Sequence, residues 1–402
     1  MTKPHLIFLC HRIPYPPDKG DKIRSWQLFK HLCRSWSVHL ATFIDDPADR
    51  AYRSVLSDMA ASSCFIDLSP RRARIKSALG FLRNEPLSFA YYRSGQLTAY
   101  LSETMQRFPV AASVGFSSAM APHLMALNAP IVMDCCDSDA EKWRAYAENK
   151  SGLGKFIFSR EARLLARAET NITNQTHATF AITKAEARLF NERDGVTGTV
   201  HYWENGVDTH FFDPGAEFSG ERPAQDQIVM VGAMDYAPNA DAALWFIDNV
   251  WPKLRAENPA LKFFVVGSKP IAALRDLDGQ DGIHVTGRVD DVRPYLAGAG
   301  VVVAPLQIAR GIQNKVLEGM AMAKPVIASS GAATGVRAEA GRDLMIVDKA
   351  DDYVSAIKTL LTDRGLANEI GAAARARVLN EYSWAANLKE VDQALAPLRA
   401  RS

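Results

Sequence analysis

Short apolar runs separated by amphipathic stretches set the pattern of this chain from end to end. His5 to Cys10 reads as a strand, and the apolar stripe Ile23, Trp26, Leu28, Phe29 and Leu32 predicts a helix from about Asp21 to Arg34. Ser37–Phe43 and Cys64–Leu68 read as further strands, with a helix over Ala48–Ala60 between them. Ala111–Phe116, Ile131–Cys135, Ala178–Ile182 and Thr199–Trp203 continue as strands, with helices near 119–127, 138–170 and 184–194. Strands that are apolar throughout, each followed by a helix, predict a parallel sheet covered on both faces.

The alternation stops at residues 204–226, which are rich in Gly, Pro and acids and read as an interdomain link. It then restarts. Ile228–Val231, Lys262–Val266, Gly282–Thr286, Val301–Ala304, Pro325–Ala328 and Leu344–Val347 read as strands, with helices near 238–256, 291–297, 314–323, 351–362 and 366–380. The fold class is therefore α/β, with two Rossmann-like parallel-sheet domains, 1–205 and 206–382, and a terminal segment 383–402. In that segment Trp384, Leu388, Val391 and Leu395 recur at helical spacing, so the helix has a face to dock. The default ligand site of such a pair of domains is the cleft between them.

Composition narrows the function classes. A chain of 402 residues with 48% hydrophobic and 23% charged residues is that of a globular protein. No apolar run reaches the ~20 residues of a bilayer span, and the N-terminus lacks a signal-peptide layout, so a cytoplasmic location is expected. The five cysteines, Cys10, Cys33, Cys64, Cys135 and Cys136, form no CxxC pair and are expected to be reduced. A net charge of +2 does not suit a nucleic-acid partner. The charge is uneven, +6 over residues 1–205 and −4 over the remainder, so the first half is the side to meet an anionic surface. Arg71–Arg83 concentrates that charge: it has five cations, no acids, and Ile75, Leu79 and Leu82 near one helical face. Such a segment suits either a solvated helix with an ordinary core stripe or an anionic membrane surface.

Common catalytic signatures are missing: there is no Walker A run, no HExxH, no GxSxG, and no GxGxxG after the first strand. Asp134, Asp137 and Asp139 could hold a divalent cation, but Asp137 or Ser138 serves equally as a helix cap, and no metal is expected. Two stretches carry more. Residues 300–330 run strand, glycine-bearing turn, helix, strand, the unit whose ligands sit at strand carboxyl ends over helix N-termini. Glu318 is a lone carboxylate among Leu317, Gly319 and Met320, suited either to the helix dipole or to the hydroxyls of a ribose. The loop Pro14–Asp21 follows the first strand, stiffened by prolines and ended by Gly20, which permits close approach of a ligand.

These stretches resemble the GT-B fold glycosyltransferases of family 4, and within them the exosortase-associated bacterial exopolysaccharide sugar transferases. The matching segments are Pro14–Asp21, Asn205-Gly206-Val207-Asp208, Val231–Asn239, Thr286–Asp291 and Gly311–Ala321, in order across nearly the whole chain. The resemblance implies a nucleoside diphosphate sugar donor, with UDP or GDP as the nucleotide, held mainly by the C-terminal domain. Glu318 would hold the ribose. The turn Gly311, Ile312, Gln313 and Asn314 would meet the diphosphate or sugar through backbone N–H groups, and Arg288 and Val289 would contact the base. Gly232 and Gly20 would lie near the donor, and the terminal helix would cross back to the N-terminal domain.

Two positions depart from the family pattern. Arg310 stands eight positions before Glu318, where the family places a first glutamate, and the cations usually found after the first C-domain strand are absent from Gly232–Asn239. Lys315, Arg310 or Arg24 is expected to supply the missing positive charge, and Arg310 can grip a phosphate or carboxylate bidentately. No catalytic base is evident, and His123, Asp21 and Asp137 are the candidates beside Arg310 for groups near the reaction. The resulting expectation is a retaining sugar transfer, without a metal cofactor, to a lipid-linked or saccharide acceptor in exopolysaccharide assembly, with Arg71–Arg83 at the inner membrane surface. The alternatives are a nucleotide-sugar 2-epimerase and a non-catalytic nucleotide- or glycan-binding partner of a polysaccharide synthase.

Overall fold

A computed structural model describes residues 3–17, 20–148, 150–218, 227–307 and 312–399. The chain divides into two compact units, Met1–Asn205 with Asn387–Ser402, and Gly206–Ala386.

The first unit is built on seven parallel strands: β1 (His5–Cys10), β2 (Ser37–Ile44), β3 (Ser62–Asp67), β4 (Val110–Phe116), β5 (Ile131–Cys136), β6 (Ala178–Ala181) and β7 (Val200–Tyr202). Their order is β3-β2-β1-β4-β5-β6-β7. Every residue of β1 after His5 is buried, which is why this strand reads as an uninterrupted apolar run. The second unit holds β8 (Gln227–Val231), β9 (Phe263–Val266), β10 (Ile283–Gly287), β11 (Ala299–Ala304), β12 (Val326–Ala328) and β13 (Met345–Ile346), in the order β10-β9-β8-β11-β12-β13. The two sheets thus share one topology. In each, the chain winds outward from its first strand, then crosses to the other side to lay down its fourth. That reversal opens a crevice at the carboxyl ends of β1 and β4, and of β8 and β11.

The helix expected over 138–170 is two helices, Asp139–Glu148 and Gly152–Gln175. The second begins at Gly152, whose φ of +55° a side chain would resist. The basic segment is likewise two short helices, Pro70–Ser77 and Leu79–Leu82. The second unit extends to Ala386 because Val207 pairs with Ser383 in an isolated parallel bridge and donates its N–H to Tyr382 O at 2.7 Å. The terminal helix Lys389–Arg399 belongs to the first unit: Val391, Leu395 and Leu398 are buried, His31 Nε2 lies 2.8 Å from Asp392 and His177 Nε2 lies 3.0 Å from Ala394 O.

Candidate functional site

The crevice of the second unit is framed by the ends of β8 and β11. After β8 comes Gly232, where a side chain would meet Asn239 Nδ2 at 2.8 Å. A side chain at Gly267, after β9, would meet the Gly232 carbonyl oxygen at 1.7 Å. Gly267 must therefore be glycine for the strand ends to approach this closely, and Gly232 leaves room for the Asn239 amide. Asn239 is held by donating Nδ2 to Ala233 O at 2.8 Å, which turns its Oδ1 toward Lys315 Nζ at 2.6 Å.

The other wall is the helix Asn314–Ala321, which follows β11. Val316, Leu317, Gly319, Met320 and Ala321 are buried, and a side chain at Gly319 would lie 3.1 Å from both Val302 and Val326, so the helix lies directly on β11 and β12. Arg375 donates to the carbonyl of Ala321 at the helix end and pairs with Asp213 at 3.0 Å, a cation where the helix dipole favours one. The helix is thereby fixed on its sheet face and at its end.

Glu318 and Lys315 project from this fixed helix. Glu318 is the fifth residue of the helix and half-buried, so it lies beyond the first turn, where the dipole would favour a carboxylate. Burial pushes its carboxyl up to about 7, partly offset by the charge of Lys315. Burial likewise pushes the Lys315 ammonium down to about 8, against the pull of Glu318. Among the described residues nothing hydrogen-bonds the Glu318 carboxyl. A desolvated carboxyl without hydrogen-bond donors is an acceptor waiting for them. Ile312 and Gln313 are half-buried before the helix and Asn314, exposed, opens it. Arg310 and Gly311 lie outside the described residues. Gly287 turns at φ +65° ahead of an exposed Arg288, while Val289 packs on the core of this unit.

The crevice of the first unit is different. His11, directly after β1, stacks on Phe116 at the end of β4, ring centroids 5.8 Å apart, and meets Tyr92 edge-on at 6.0 Å. Its Nε2 lies 3.5 Å from Asp21, which also takes Arg12 Nη1 at 2.6 Å, and Arg12 continues to Asp45 at 2.9 Å. Burial alone would raise the Asp21 carboxyl, but the His11 hydrogen bond and the Arg12 charge hold it well below the usual carboxylate range. His123 is half-buried with Nε2 3.2 Å from Tyr92 O, and burial lowers its pKa against the pull of that contact. His11 was the residue to notice in sequence: a titratable side chain immediately after the first strand stands at the crevice by topology alone. Gly20 opens the Gly20–Ser35 helix with free space where a side chain would project.

Arg24 does not reach a crevice surface. It is 1% exposed, grips Asp134 with Nε at 2.9 Å and Nη2 at 3.2 Å, donates to Trp203 O at 2.8 Å, and lies over the Trp203 ring at 3.3 Å. Its charge is matched inside the first unit, so the expectation that Arg24 neutralises a diphosphate is corrected. The acids near β5 are matched too: Asp139 accepts from Ser118 Oγ at 2.7 Å, Lys142 lies 3.2 Å from Asp137, and Ser138 caps the following helix through Glu141 N at 3.3 Å. Among the described residues no group of three or more His, Cys, Asp or Glu side chains is gathered for a metal ion. None of the described helices is long and apolar enough to cross a membrane.

Comparison with known structures matches this architecture over its whole length. HepE from Anabaena in complex with UDP aligns at TM-score 0.63 and 13% identity, covering 98% of this chain and 100% of that one. The fold is GT-B. Sucrose-phosphate synthase from Thermosynechococcus elongatus aligns at TM-score 0.63 and 17% identity, covering 99% and 100% of the two chains. A glycosyltransferase from Rickettsia africae aligns at TM-score 0.63 and 14% identity, covering 100% of each. Residues 225–363 match the family model of the glycosyl transferases group 1, a stretch that begins at β8 and includes Gly232, Lys315 and Glu318. No curated protein matches the chain in sequence.

Proposed function

We propose that this GT-B protein is a retaining glycosyltransferase of family 4, closest to the exosortase-associated exopolysaccharide transferases, and that it moves a hexose from a nucleoside diphosphate sugar to a lipid-linked or saccharide acceptor. The observation that carries the reading is Glu318: a half-buried carboxyl, raised to about 7 by burial, with no hydrogen-bond donor among the described residues, at the strand crevice of a group 1 glycosyl transferase domain. A vicinal diol supplies two O–H donors to one carboxylate, which suits a ribose. The reading is supported by HepE, whose structure was determined with UDP in the same fold.

In this reading the helix N-terminus at Ile312–Asn314, with Gly311 before it, faces the diphosphate. Lys315, held by Asn239, carries the positive charge the leaving diphosphate requires, assisted by Arg310, and no metal is required. Arg288 and Val289 stand at the base, and Gly232 leaves room beside the phosphates. The first unit receives the acceptor near Gly20, where His11, Asp21 and His123 surround the approach, with the enzyme working in the cytoplasm at the inner membrane face. The proposed step is attack by the acceptor hydroxyl on the face the diphosphate leaves, the sugar–phosphate bond breaking as the glycosidic bond forms and the hydroxyl proton passing to the departing diphosphate.

The test is thermal shift and calorimetry with UDP, GDP and their sugars, followed by transfer of radiolabelled sugar to extracted membrane lipids. Stabilisation by one nucleotide family, lost in Glu318→Gln, is expected. A wild-type protein that binds none of these ligands overturns the reading.

A further inference from the structure

Two apolar side chains of the basic segment, Ile75 and Leu82, do not join a core. Ile75 is 77% exposed and Leu82 is 85% exposed, while Ala73 is the buried side chain of the Pro70–Ser77 helix. Side chains of this size normally go inside. A second exposed apolar group stands at the start of the Gly152–Gln175 helix, where Leu153 is 73% and Phe156 is 64% exposed. The two groups belong to one surface. One turn beyond Phe156, Arg160 Nη2 donates to Gly80 O at 2.9 Å and its guanidinium lies 4.4 Å from the Phe81 ring centroid. The adjacent Glu161 accepts from Leu87 N at 2.7 Å. Buried on that helix, Arg160 and Glu161 thus fasten the Leu79–Leu82 turn beside the exposed helix start.

Charge follows the same surface. Arg71, Arg72, Arg74 and Arg83 flank Ile75 and Leu82, while Lys150 and Lys155 flank Leu153, and all six are exposed. Among the described residues none of the six forms an ion pair. Glu148, exposed, ends the helix that precedes Lys150 in the chain. Protruding apolar side chains ringed by unpaired cations are complementary to a surface that is anionic outside and apolar beneath.

We propose that the Pro70–Leu82 segment and the Gly152 end of the long helix together form a docking face for an anionic lipid bilayer. Ile75, Leu82, Leu153 and Phe156 enter the interface, and the six cations meet lipid phosphates. The proposal deepens the functional reading, because it places a lipid-linked acceptor beside the first unit, and it replaces a single basic helix with two elements locked by Arg160. Neither signal anchors a protein firmly alone, and the pairing of apolar and basic groups explains why both occur on one face.

The test is co-sedimentation with vesicles of phosphatidylcholine and of phosphatidylcholine mixed with phosphatidylglycerol, using the full chain. Binding to the mixed vesicles only is expected. Ile75→Ser/Leu82→Ser and Leu153→Ser/Phe156→Ser should each weaken it about tenfold, and Arg71→Gln/Arg72→Gln/Arg74→Gln should do the same. All are surface positions, so melting temperatures should stay at the wild-type value. Failure of the wild type to bind mixed vesicles overturns the proposal, as does undiminished binding by the Leu153/Phe156 variant. If the same substitutions instead dissolve a dimer seen by sedimentation velocity, the face is a contact between copies and the proposal falls. UDP binding without vesicle binding rejects docking alone, and vesicle binding without any nucleotide binding rejects sugar transfer alone.

Discussion

Two crevices with the same strand topology handle charge in opposite ways. At the ends of β1 and β4, Asp21 pairs with His11 Nε2 and Arg12, and Arg12 with Asp45, leaving His11 Nδ1 buried without a partner, and Asp21 is held ionised well below its usual range. Behind them Arg24 and Asp134 close on each other in the interior. At the ends of β8 and β11, Lys315 is anchored by the neutral Asn239, Glu318 has no hydrogen-bond donor among the described residues, and burial moves both groups toward their uncharged forms. Charges that are already matched keep a scaffold in shape. Charges that are desolvated and unmatched cost stability unless a ligand completes them. The contrast therefore favours the second crevice for the polar, anionic donor of the proposed function.

The largest expected effect breaks the matched side. Arg24→Met leaves Asp134 buried without its cation and should destabilise the protein by about 3–5 kcal/mol, measured by urea unfolding. Arg24→Met/Asp134→Leu should recover most of that loss. Calorimetric affinity for UDP should remain within about twofold of wild type, because the pair acts inside the first unit. Loss of nucleotide affinity in a folded Arg24→Met protein would break the contrast, since it would return Arg24 to the donor site.

The unmatched side should respond in the reverse sense. Glu318→Gln removes a carboxylate acceptor for two hydroxyls and should weaken nucleotide binding roughly 10- to 100-fold. It should also stabilise the unliganded protein. The folded Glu318 titrates near 7 and its ordinary value is 4.5, so the folded state holds a proton that the unfolded chain has released between those values. Stability attributable to this group therefore falls as pH rises through that window, and at pH 8 the ionised residue costs about 1–3 kcal/mol that Gln does not. A Glu318→Gln protein that is both less stable and equally tight for nucleotide would mean that the carboxylate is structural.

How much of this was legible in sequence depends on whether a feature is local. The alternation of apolar runs and amphipathic helices placed the strands, because parallel strands are buried on both faces and carry no polar positions. Glu318 stood out as a lone acid in an apolar turn of helix. Its burial without a hydrogen-bond donor among the described residues did not, and neither did the Lys315–Asn239 contact, which joins residues 76 apart. Arg24 looked available at the head of a helix until folding carried Asp134 against it, 110 residues away. The helix break at Gly152 was hidden because 138–170 keeps apolar residues at helical spacing on both sides. The stripe of Ile75 and Leu82 was visible, but only the structure shows that it faces outward.

A smaller effect tests the cation of the open pair. Lys315→Ala should raise the donor Michaelis constant about tenfold, with calorimetric UDP affinity falling in step, since one charge-assisted contact to phosphate is removed. Lys315→Arg should not restore it fully, because a planar guanidinium does not replace an ammonium held end-on by Asn239 Oδ1. An unchanged constant in Lys315→Ala would assign the diphosphate to other cations, Arg310 first among them.

The smallest effect is the most specific, because it reads both members of the pair in one curve. Glu318 must lose its proton to accept from a diol, so affinity should rise as pH rises through about 7. Lys315 must keep its proton to meet a diphosphate, so affinity should fall as pH rises through about 8. The two conditions overlap only in a narrow band, and calorimetry with UDP should give a bell whose acid side changes about threefold per pH unit around its midpoint. The single variants separate the limbs: Glu318→Gln should flatten the acid side and leave the alkaline side, and Lys315→Ala should do the opposite. Asp21 in the first crevice offers no such limb, because it is ionised throughout this range. An acid limb that survives Glu318→Gln would place the titrating group elsewhere, and the two crevices would then no longer differ in the way their charges indicate.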